Sequence, residues 1–496
     1  NNHNINVGGG LEVKTTRRRT NTGTYKGFQS AEFSSPEFAR SMPYKPNFQE
    51  VQTRLFGMFA RLNYSYQDIY LLDASLRIDG SSEFGSDKRY APFFSGGLGL
   101  NIHKYAFMEK YDFINHLKVR GSFGQTGKVN FAPYAAVPTH EIDIDEWYIS
   151  GPAASLMTTR GNRDLKWEKT NKFDVGFELG VLRNLLYLEF SWYNEITNGL
   201  ITDVTLPSST GFKTYKSNMG KVENKGFEIQ FRSDLLSTAD WYVAVFANLA
   251  HNTNKIKKIS DALKAYNDAV NEYYNQEIES LWDKDNPNLN RVMTKYEEGQ
   301  SLSAKYGLKS LGIDPANGQE LYVYRDGTVS YDWSATEMRN IGDEMPWGTG
   351  SFGVNLRWKN ITFSTSFLYE FGGDFYNETL IDKVENAKIE EYNVDRRAMS
   401  ERWKKFGDVV MYKDIKDNTQ TTDPTSRFMQ RNNVLSWNSM TIGYELDREM
   451  LKRIGIENIR IEVGTNDLWR LSTVKAERGL SYPYANSVNF SVNVRF

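Results

Sequence analysis

The residues best suited to chemistry in this chain do not assemble into a chemical site. Its five histidines, His3, His103, His116, His140 and His251, are scattered, without the close pairing that a zinc site needs. No glycine-rich phosphate loop opens a helix, and Gly8-Gly9-Gly10 lies in a strand-like stretch. The run Asp283-Lys-Asp-Asn-Pro-Asn288 has the acids of a calcium loop but lacks its glycine and puts Pro287 at a ligand position. It reads as an ordinary polar turn. Neighbouring acids such as Glu297 and Glu298 read as solvated loop charges. Cysteine is absent, which removes disulfides, thiolate metal sites and cysteine nucleophiles together and fits an oxidising compartment. No nucleophile stands beside a base. The chain is therefore not read as an enzyme, and no catalytic residue, metal site or cofactor is expected.

Composition points elsewhere. Aromatics make up 14% of the 496 residues, with 29 Tyr, 29 Phe and 11 Trp, beside 38 Gly. Such enrichment suits strands. Trp147, Tyr148, Trp282 and Trp333 fall in long polar connections, where flat rings either pack the loop or stack on sugar rings and peptide side chains. The net charge of −2 supplies no general basic field for nucleic acid. Mean hydropathy is −0.58, and no stretch approaches the roughly 20 apolar residues of a membrane-crossing helix. A membrane-crossing strand needs apolar side chains at alternate positions alone, so low hydropathy leaves that possibility open. The chain opens on Asn1 without Met or signal peptide, as a mature or cleaved form would.

Period-two alternation is the dominant pattern. In 185–194, Leu186, Leu188, Phe190 and Trp192 share one face and Tyr187, Glu189, Ser191 and Tyr193 the other. In 361–371, Ile361, Phe363, Thr365, Phe367, Tyr369 and Phe371 oppose Thr362, Ser364, Ser366 and Glu370. One apolar and one polar face at 180° per residue is the strand signature. Fourteen such segments begin near Ile5, Arg54, Ile69, Ser95, Leu117, Lys172, Leu185, Gly226, Trp241, Ser351, Ile361, Val434, Ile459 and Val488. They run about 8 to 12 residues, near the ~9–11 that cross a bilayer at a tilt.

Long and short connections take turns. Short ones lie at Gln67-Asp68, 182–184, 235–240 and Lys359-Asn360; long ones span about 125–167, 197–225, 251–350 and 372–433. A transmembrane antiparallel β-barrel of the bacterial outer membrane has this asymmetry, with tight periplasmic turns and extended extracellular loops. Two loop stretches, 260–282 and 385–406, have helical spacing or composition and read as scaffold folded over the mouth. Arg17-Arg18-Arg19 follows the first strand on the external side, either as a solvated loop edge or in contact with anionic lipopolysaccharide headgroups. Terminal Phe496 closes an alternating strand and resembles the assembly signal of such barrels.

Leu206-Pro-Ser-Ser-Thr-Gly-Phe212, Asn218-Met-Gly-Lys-Val-Glu-Asn-Lys-Gly-Phe-Glu228 and several further strings, in order along the chain, resemble the SusC/RagA family of TonB-linked outer-membrane transporters. The first contains Leu206, Pro207, Thr210, Gly211 and Phe212, and the second Asn218, Gly220, Asn224, Gly226, Phe227 and Glu228. Others are Asn162-Arg-Asp-Leu-Lys-Trp-Glu168, Leu117-Lys-Val-Arg-Gly-Ser-Phe-Gly-Gln-Thr-Gly127, Arg77-Ile-Asp-Gly-Ser-Ser-Glu-Phe-Gly85 and Gly312-Ile-Asp-Pro-Ala-Asn-Gly318. The family's small N-terminal β-domain, plug and first barrel strands have no counterpart here. Where relatives often carry Asp-Pro-Glu, this chain reads Ala476-Glu-Arg-Gly-Leu-Ser-Tyr-Pro483.

The resemblance implies an all-β fold with about 14 strands of a 22-stranded barrel. The other strands and the plug would come from a separate or cleaved N-terminal part, because open sheet edges in lipid cost several kcal/mol per unpaired group. It also implies import of oligomeric nutrients, glycans or peptides, with a SusD-like surface lipoprotein as lid. The TonB complex would act through the plug-bearing part, and outer-membrane lipid would surround the wall. The rivals are a self-closed 14-stranded passive pore and a barrel-anchored adhesin or structural subunit.

Overall fold

A computed structural model describes residues 2–30, 35–84, 88–129, 131, 133–148, 151–159, 161–183, 185–205, 214–259, 264–265, 267–268, 270, 295–387, 389, 393–415, 422–446, 451, 455–475 and 486–495. In chain order the strands are β1 (His3–Thr22), β2 (Asn47–Tyr66), β3 (Tyr70–Ser81), β4 (Tyr90–Asn101), β5 (Ile114–Lys128), β6 (Thr139–Tyr148) and β7 (Gly151–Thr159). Next come β8 (Glu168–Val181), β9 (Leu186–Thr205), β10 (Thr214–Ser237), β11 (Trp241–Lys258), β12 (Ala304–Gly307), β13 (Lys309–Ile313) and β14 (Glu320–Val323). The last are β15 (Val329–Ser330), β16 (Arg339–Asp343), β17 (Gly348–Trp358), β18 (Ile361–Tyr376), β19 (Met429–Glu445), β20 (Asn458–Ser472) and β21 (Ser487–Arg495).

Fourteen of these, β1–β5, β8–β11 and β17–β21, form one antiparallel sheet in which each pairs with the next along the chain. Every segment picked out by alternation begins in or beside one of them. Connections follow the expected rule. Gln67 and Asp68 (φ 53° and 52°), Leu182 and Arg183 (54° and 59°) and Lys359 (49°) are left-handed, the backbone that tight hairpins between right-twisted strands require. At the opposite end run 129–167, 259–347 and 377–428.

The sheet has one predominantly apolar and one predominantly polar side. A single cross-strand row passes from Leu179 through Leu188, Phe231, Ala247, Phe352, Phe367 and Trp437 to Trp469. The adjacent row on the reverse side reads Glu178, Glu189, Gln230, Asn248, Ser351, Leu368, Ser436, Arg470. The apolar side is in the open: Leu98, Val7 and Phe490 are each about 70% accessible. A broad uncovered apolar surface of this kind needs a hydrocarbon solvent. On β18 the apolar face extends from Ile361 to Phe371, roughly 34 Å at about 3.4 Å per residue and so about 25 Å of height at a tilt of about 45°. Ring pairs mark both limits, Trp241 on Trp358 (5.8 Å) beside the short turns and Trp347 on Phe371 (5.4 Å) beside the long loops.

Several expectations are revised. The sheet strands run 9 to 24 residues rather than 8 to 12, because β9 and β10 continue as ladder through most of 197–225. Arg17-Arg18-Arg19 lies inside β1, where Arg17 and Arg19 both grip Glu50 of β2 (2.6 and 2.8 Å). The 385–406 stretch holds one described helix, the four-residue Arg397–Ser400. Beyond it the backbone folds around buried Arg402, which donates to the carbonyls of Val384, Glu385, Ala398 and Lys413. Most of 260–282 lies outside the described residues. The β6–β7 hairpin was not anticipated. Among the described residues β1 pairs with β2 alone and β21 with β20 alone, so the sheet carries two open edges.

Candidate substrate-facing surface

The polar side of the sheet divides into two sectors. On β5, β8 and β9 charges are interlocked. Arg120 reaches Asp174 (3.1 Å), Glu189 (3.0 Å) and Ser191 (2.6 Å), Lys118 reaches Glu178 (3.0 Å), and Lys172 reaches Glu195 (2.7 Å). On β11, β17, β18 and β19 neutral pairs predominate, Asn248 with Ser351 (2.7 Å), Ser364 with Asn355 (2.8 Å) and Ser366 with Ser439 (2.7 Å), with Arg431 and Asp374 (3.1 Å) as an ion pair toward the long loops. Two cavities open on this side, one between β9 and β11 and one on the second sector, and share Asn248. One, of about 450 Å³, includes Tyr187, Gln230, Arg232 and Phe246; the other, of about 510 Å³, includes Ser351, Glu370, Ser436 and Arg470. Such a wall offers hydrogen bonds without a large field of one sign, which suits polar, weakly charged solutes.

At the long-loop rim the strings that carried the resemblance converge. Asn218 accepts the Lys166 N–H at Oδ1 (2.8 Å), and its Nδ2 donates to the carbonyls of Lys166 (2.7 Å) and Gly199 (2.9 Å). Asn162 donates to the Lys216 carbonyl (2.9 Å). Between them Leu165 and Trp167 are buried with Phe84, Phe93 and Ile201; the Trp167 ring lies 4.5 Å from Phe84, and its N–H donates to the Arg89 carbonyl (2.9 Å). Nearby, Asn224 accepts from Asn254 (2.7 Å), and Phe227 packs on Phe190, His251 and Trp347. Gly226 is required sterically, since a Cβ there would strike the His251 carbonyl and the Tyr193 ring. Gly220 has φ 68°, a conformation that favours glycine. These motif positions build the rim.

Above the wall, 295–347 and 377–428 form one external cap. The Leu308 N–H donates to the Pro424 carbonyl (3.0 Å), and the Ser426 N–H donates to the Leu308 carbonyl (2.9 Å). The Gly312–Gly318 string makes the β13–β14 turn, where Asp314 accepts from the Ala316 N–H (2.8 Å) and Tyr331 (2.6 Å). At the centre Arg427 donates to Glu320 (2.6 Å) and Glu385 (2.6 Å), which also accept from Thr425 and Thr422 (both 2.6 Å). All three charged side chains are at most 5% accessible. Burial alone would raise the Glu385 carboxyl, but Arg427 outweighs it and holds the group below its ordinary range. Burial likewise opposes charge on Arg427, and the two glutamates overcome it to hold the guanidinium well above its usual value. Half-buried Asp423 goes the other way: desolvation pushes its carboxyl up to about 7 against the pull of Lys413.

The aromatic candidates scatter over this architecture. Trp147 and Tyr148 stand at the end of β6, paired in register with Pro152 and Gly151 of β7. Trp333 is half-buried against Leu308, Tyr322 and Met338, with its N–H donated to the Pro424 carbonyl (3.0 Å); its ring serves cap packing. Trp282, Phe496 and Leu206, Pro207, Thr210, Gly211 and Phe212 lie outside the described residues, as does the Asp283–Asn288 turn. Glu228 is exposed on β10. Sequence reasoning missed the Arg427–Glu320–Glu385 centre, whose members are 42 and 107 residues from Arg427 and carry no local pattern.

An uncovered apolar face, a polar reverse face and alternating short and long connections define a wall of an outer-membrane β-barrel. Residues 1–358 match the family described as TonB dependent receptor-like, beta-barrel, and the chain belongs to that family. It is 24% identical over 495 residues to TonB-dependent receptor P3 of Formosa agariphila, covering 94% of this chain and 46% of that one. It is 27% identical over 344 residues to TonB-dependent receptor SusC of Bacteroides thetaiotaomicron, covering 66% of this chain and 32% of that one. The fold is similar to that seen in "Structure of the RagAB peptide transporter", with a TM-score of 0.77, 22% identity, and coverage of 96% of this chain and 50% of that one. The chain thus spans about half the length, or less, of these relatives. Its place is the bacterial outer membrane.

Proposed function

We propose that this chain is the C-terminal wall, rim and cap of a TonB-dependent importer of oligomeric nutrients, peptides or glycans. The observation that carries the reading is the paired row structure, Leu179 to Trp469 toward lipid and Glu178 to Arg470 toward a lumen, beneath an internally cross-linked external cap. The chemistry is capture, passage and release, with no bond made or broken by this chain. A SusD-like surface lipoprotein would close over the cap. A plug, carried with the remaining strands on the N-terminal part, would block the lumen until the TonB complex pulls on it.

A peptide substrate has the support of the fold's likeness to the RagAB peptide transporter, and the sequence likeness to TonB-dependent receptor SusC supports TonB-dependent import without naming a substrate. A self-closed 14-stranded pore would need β1 to pair with β21, a pairing absent among the described residues.

The test is uptake of labelled oligopeptides and oligosaccharides by cells with and without the gene, before and after collapse of the proton-motive force. The reading expects one class to be imported, with uptake lost on deletion and on de-energisation. Uptake that persists without a proton-motive force favours the passive pore. Uptake indifferent to deletion rejects transport.

A further inference from the structure

β4 and β5 separate before the long-loop end of the sheet. Their pairing stops at Ser95–Gly124, although β4 starts at Tyr90 and β5 continues to Lys128. The ring of Phe93 turns into the space that a side chain at Gly127 would need, so the rim cluster fills part of the gap. What remains is a cavity of about 390 Å³ whose lining includes Lys88, Tyr90, Lys166, Trp167, Lys169 and Asn198.

By the period-two rule Tyr90 shares the face of Phe94, Lys169 that of Phe173, and Asn198 that of Trp192. That is the apolar face. The notch therefore opens outward, toward the membrane, rather than into the lumen. Its height is set by the aromatic pairs just below it, Phe94 with Phe123 (6.0 Å) and Phe173 with Trp192 (6.1 Å). Lys169 stands four residues beyond Phe173 on β8, roughly 13 Å along the strand and about 9 Å in height at a tilt of about 45°. This is the depth of lipid headgroups.

Three lysines line this notch, and none of them forms an ion pair with a carboxylate among the described residues. The Lys169 Nζ lies 5.6 Å from the centroid of the Phe93 ring, a contact that leaves its charge available to an anion. The arginine string of β1 contrasts with this, since Arg17 and Arg19 are already neutralised by Glu50. We propose that the Lys88–Lys166–Lys169 notch binds the phosphate of an anionic outer-leaflet lipid and so fixes the rim cluster at the membrane surface. Ammonium groups hold phosphate as point charges, and the exposed Tyr90 ring suits the boundary between chain and headgroup.

The test uses the full-length transporter purified from outer membranes in mild detergent. Barrel assembly is verified by heat-modifiable gel mobility, and retained lipid is measured by native mass spectrometry. The wild type should keep a phosphorylated lipid through washing. Joint Lys88→Gln, Lys166→Gln and Lys169→Gln replacement should lower its retention by roughly fivefold per lysine, while Arg17→Gln with Arg19→Gln should leave it unchanged. Inorganic phosphate in excess should not displace it, which separates a headgroup site from one for free phosphate. If the triple variant fails to assemble, Lys169→Gln alone carries the comparison. Equal retention in wild type and lysine variant, no phosphorylated lipid on the wild type, or displacement by inorganic phosphate would each overturn the proposal.

Discussion

Asn218 on β10 treats Lys166 as a neighbouring strand would: its side-chain oxygen accepts the Lys166 N–H at 2.8 Å and its Nδ2 returns a bond to the Lys166 carbonyl at 2.7 Å. One amide side chain thereby satisfies both polar groups of a loop peptide that has no strand beside it. Asn218→Ala removes both bonds and a third to the Gly199 carbonyl. At about 1 kcal/mol net per bond, the segment around Leu165 and Trp167 should loosen by roughly 2–3 kcal/mol. Limited proteolysis of intact cells should then cut within 161–168 faster than in wild type, while the barrel keeps its heat-modifiable mobility.

Gly226 and Gly96 make a matched pair for barrel assembly. A methyl group at Gly226 meets the His251 carbonyl and the Tyr193 ring, whereas at Gly96 the nearest atom is the Asp73 carbonyl at 3.8 Å. Gly226→Ala should break the β10–β11 ladder locally and reduce the assembled fraction in the outer membrane several-fold. Gly96→Ala should assemble like wild type. Quantitative gel mobility of membrane fractions distinguishes them.

The cap depends on charge pairing across two long loops. Arg427→Met leaves Glu320 and Glu385 buried without their cation, and breaking a buried pair in this way costs about 3–5 kcal/mol. The cap should become protease-sensitive throughout 377–428, with the transmembrane strands still assembled. Resistance equal to wild type would mean that the buried cluster contributes little to cap stability.

The same cluster predicts a pH dependence with a definite sign. Asp423 has its folded carboxyl raised from 3.8 to about 7. Between those values the folded cap holds a proton that the unfolded segment has released, so this group's contribution falls as pH rises from about 4 to about 7. Glu385 is lowered when folded; its contribution is present above about 4.5 and is lost as pH falls through its folded value. Asp423→Asn should flatten the decline in cap protease resistance between about pH 4 and 7 and leave the acid-side loss in place. An unchanged slope would show that Asp423 does not titrate in that window.

The legible part of this protein is what the bilayer dictates. Between Ile361 and Phe371, or Leu186 and Trp192, one side chain meets hydrocarbon and the next meets the lumen, so solvent itself imprints period two on the sequence. Beyond the membrane both faces are wet, and the imprint fades. The outer halves of β9 and β10, with Asn198, Lys216 and Lys221, consequently read as loop although they are ladder. The cap was illegible for a different reason: Glu385 and Arg427 meet through tertiary contact, and within 385–406, whose composition suggests a helix, Arg402 instead donates to backbone carbonyls and Arg397 pairs with Asp395. The strings resembling the transporter family lie at the rim, where Asn162 and Asn218 are bonded to each other's segments and Gly226 is confined by His251 and Tyr193.

The central claim is that neighbouring residues of a strand face opposite solvents. Ile442 and Thr441 on β19 pair respectively with Phe363 and Ser364 of β18 and belong to opposite rows. With no native cysteine in the chain, Ile442→Cys and Thr441→Cys can each carry a single fluorophore in proteoliposomes containing brominated lipid or, separately, aqueous iodide. Bromine should quench the label at 442 strongly and that at 441 weakly, with iodide showing the reverse. Equal quenching of the two sites by both agents, or an inverted pattern, would contradict the account.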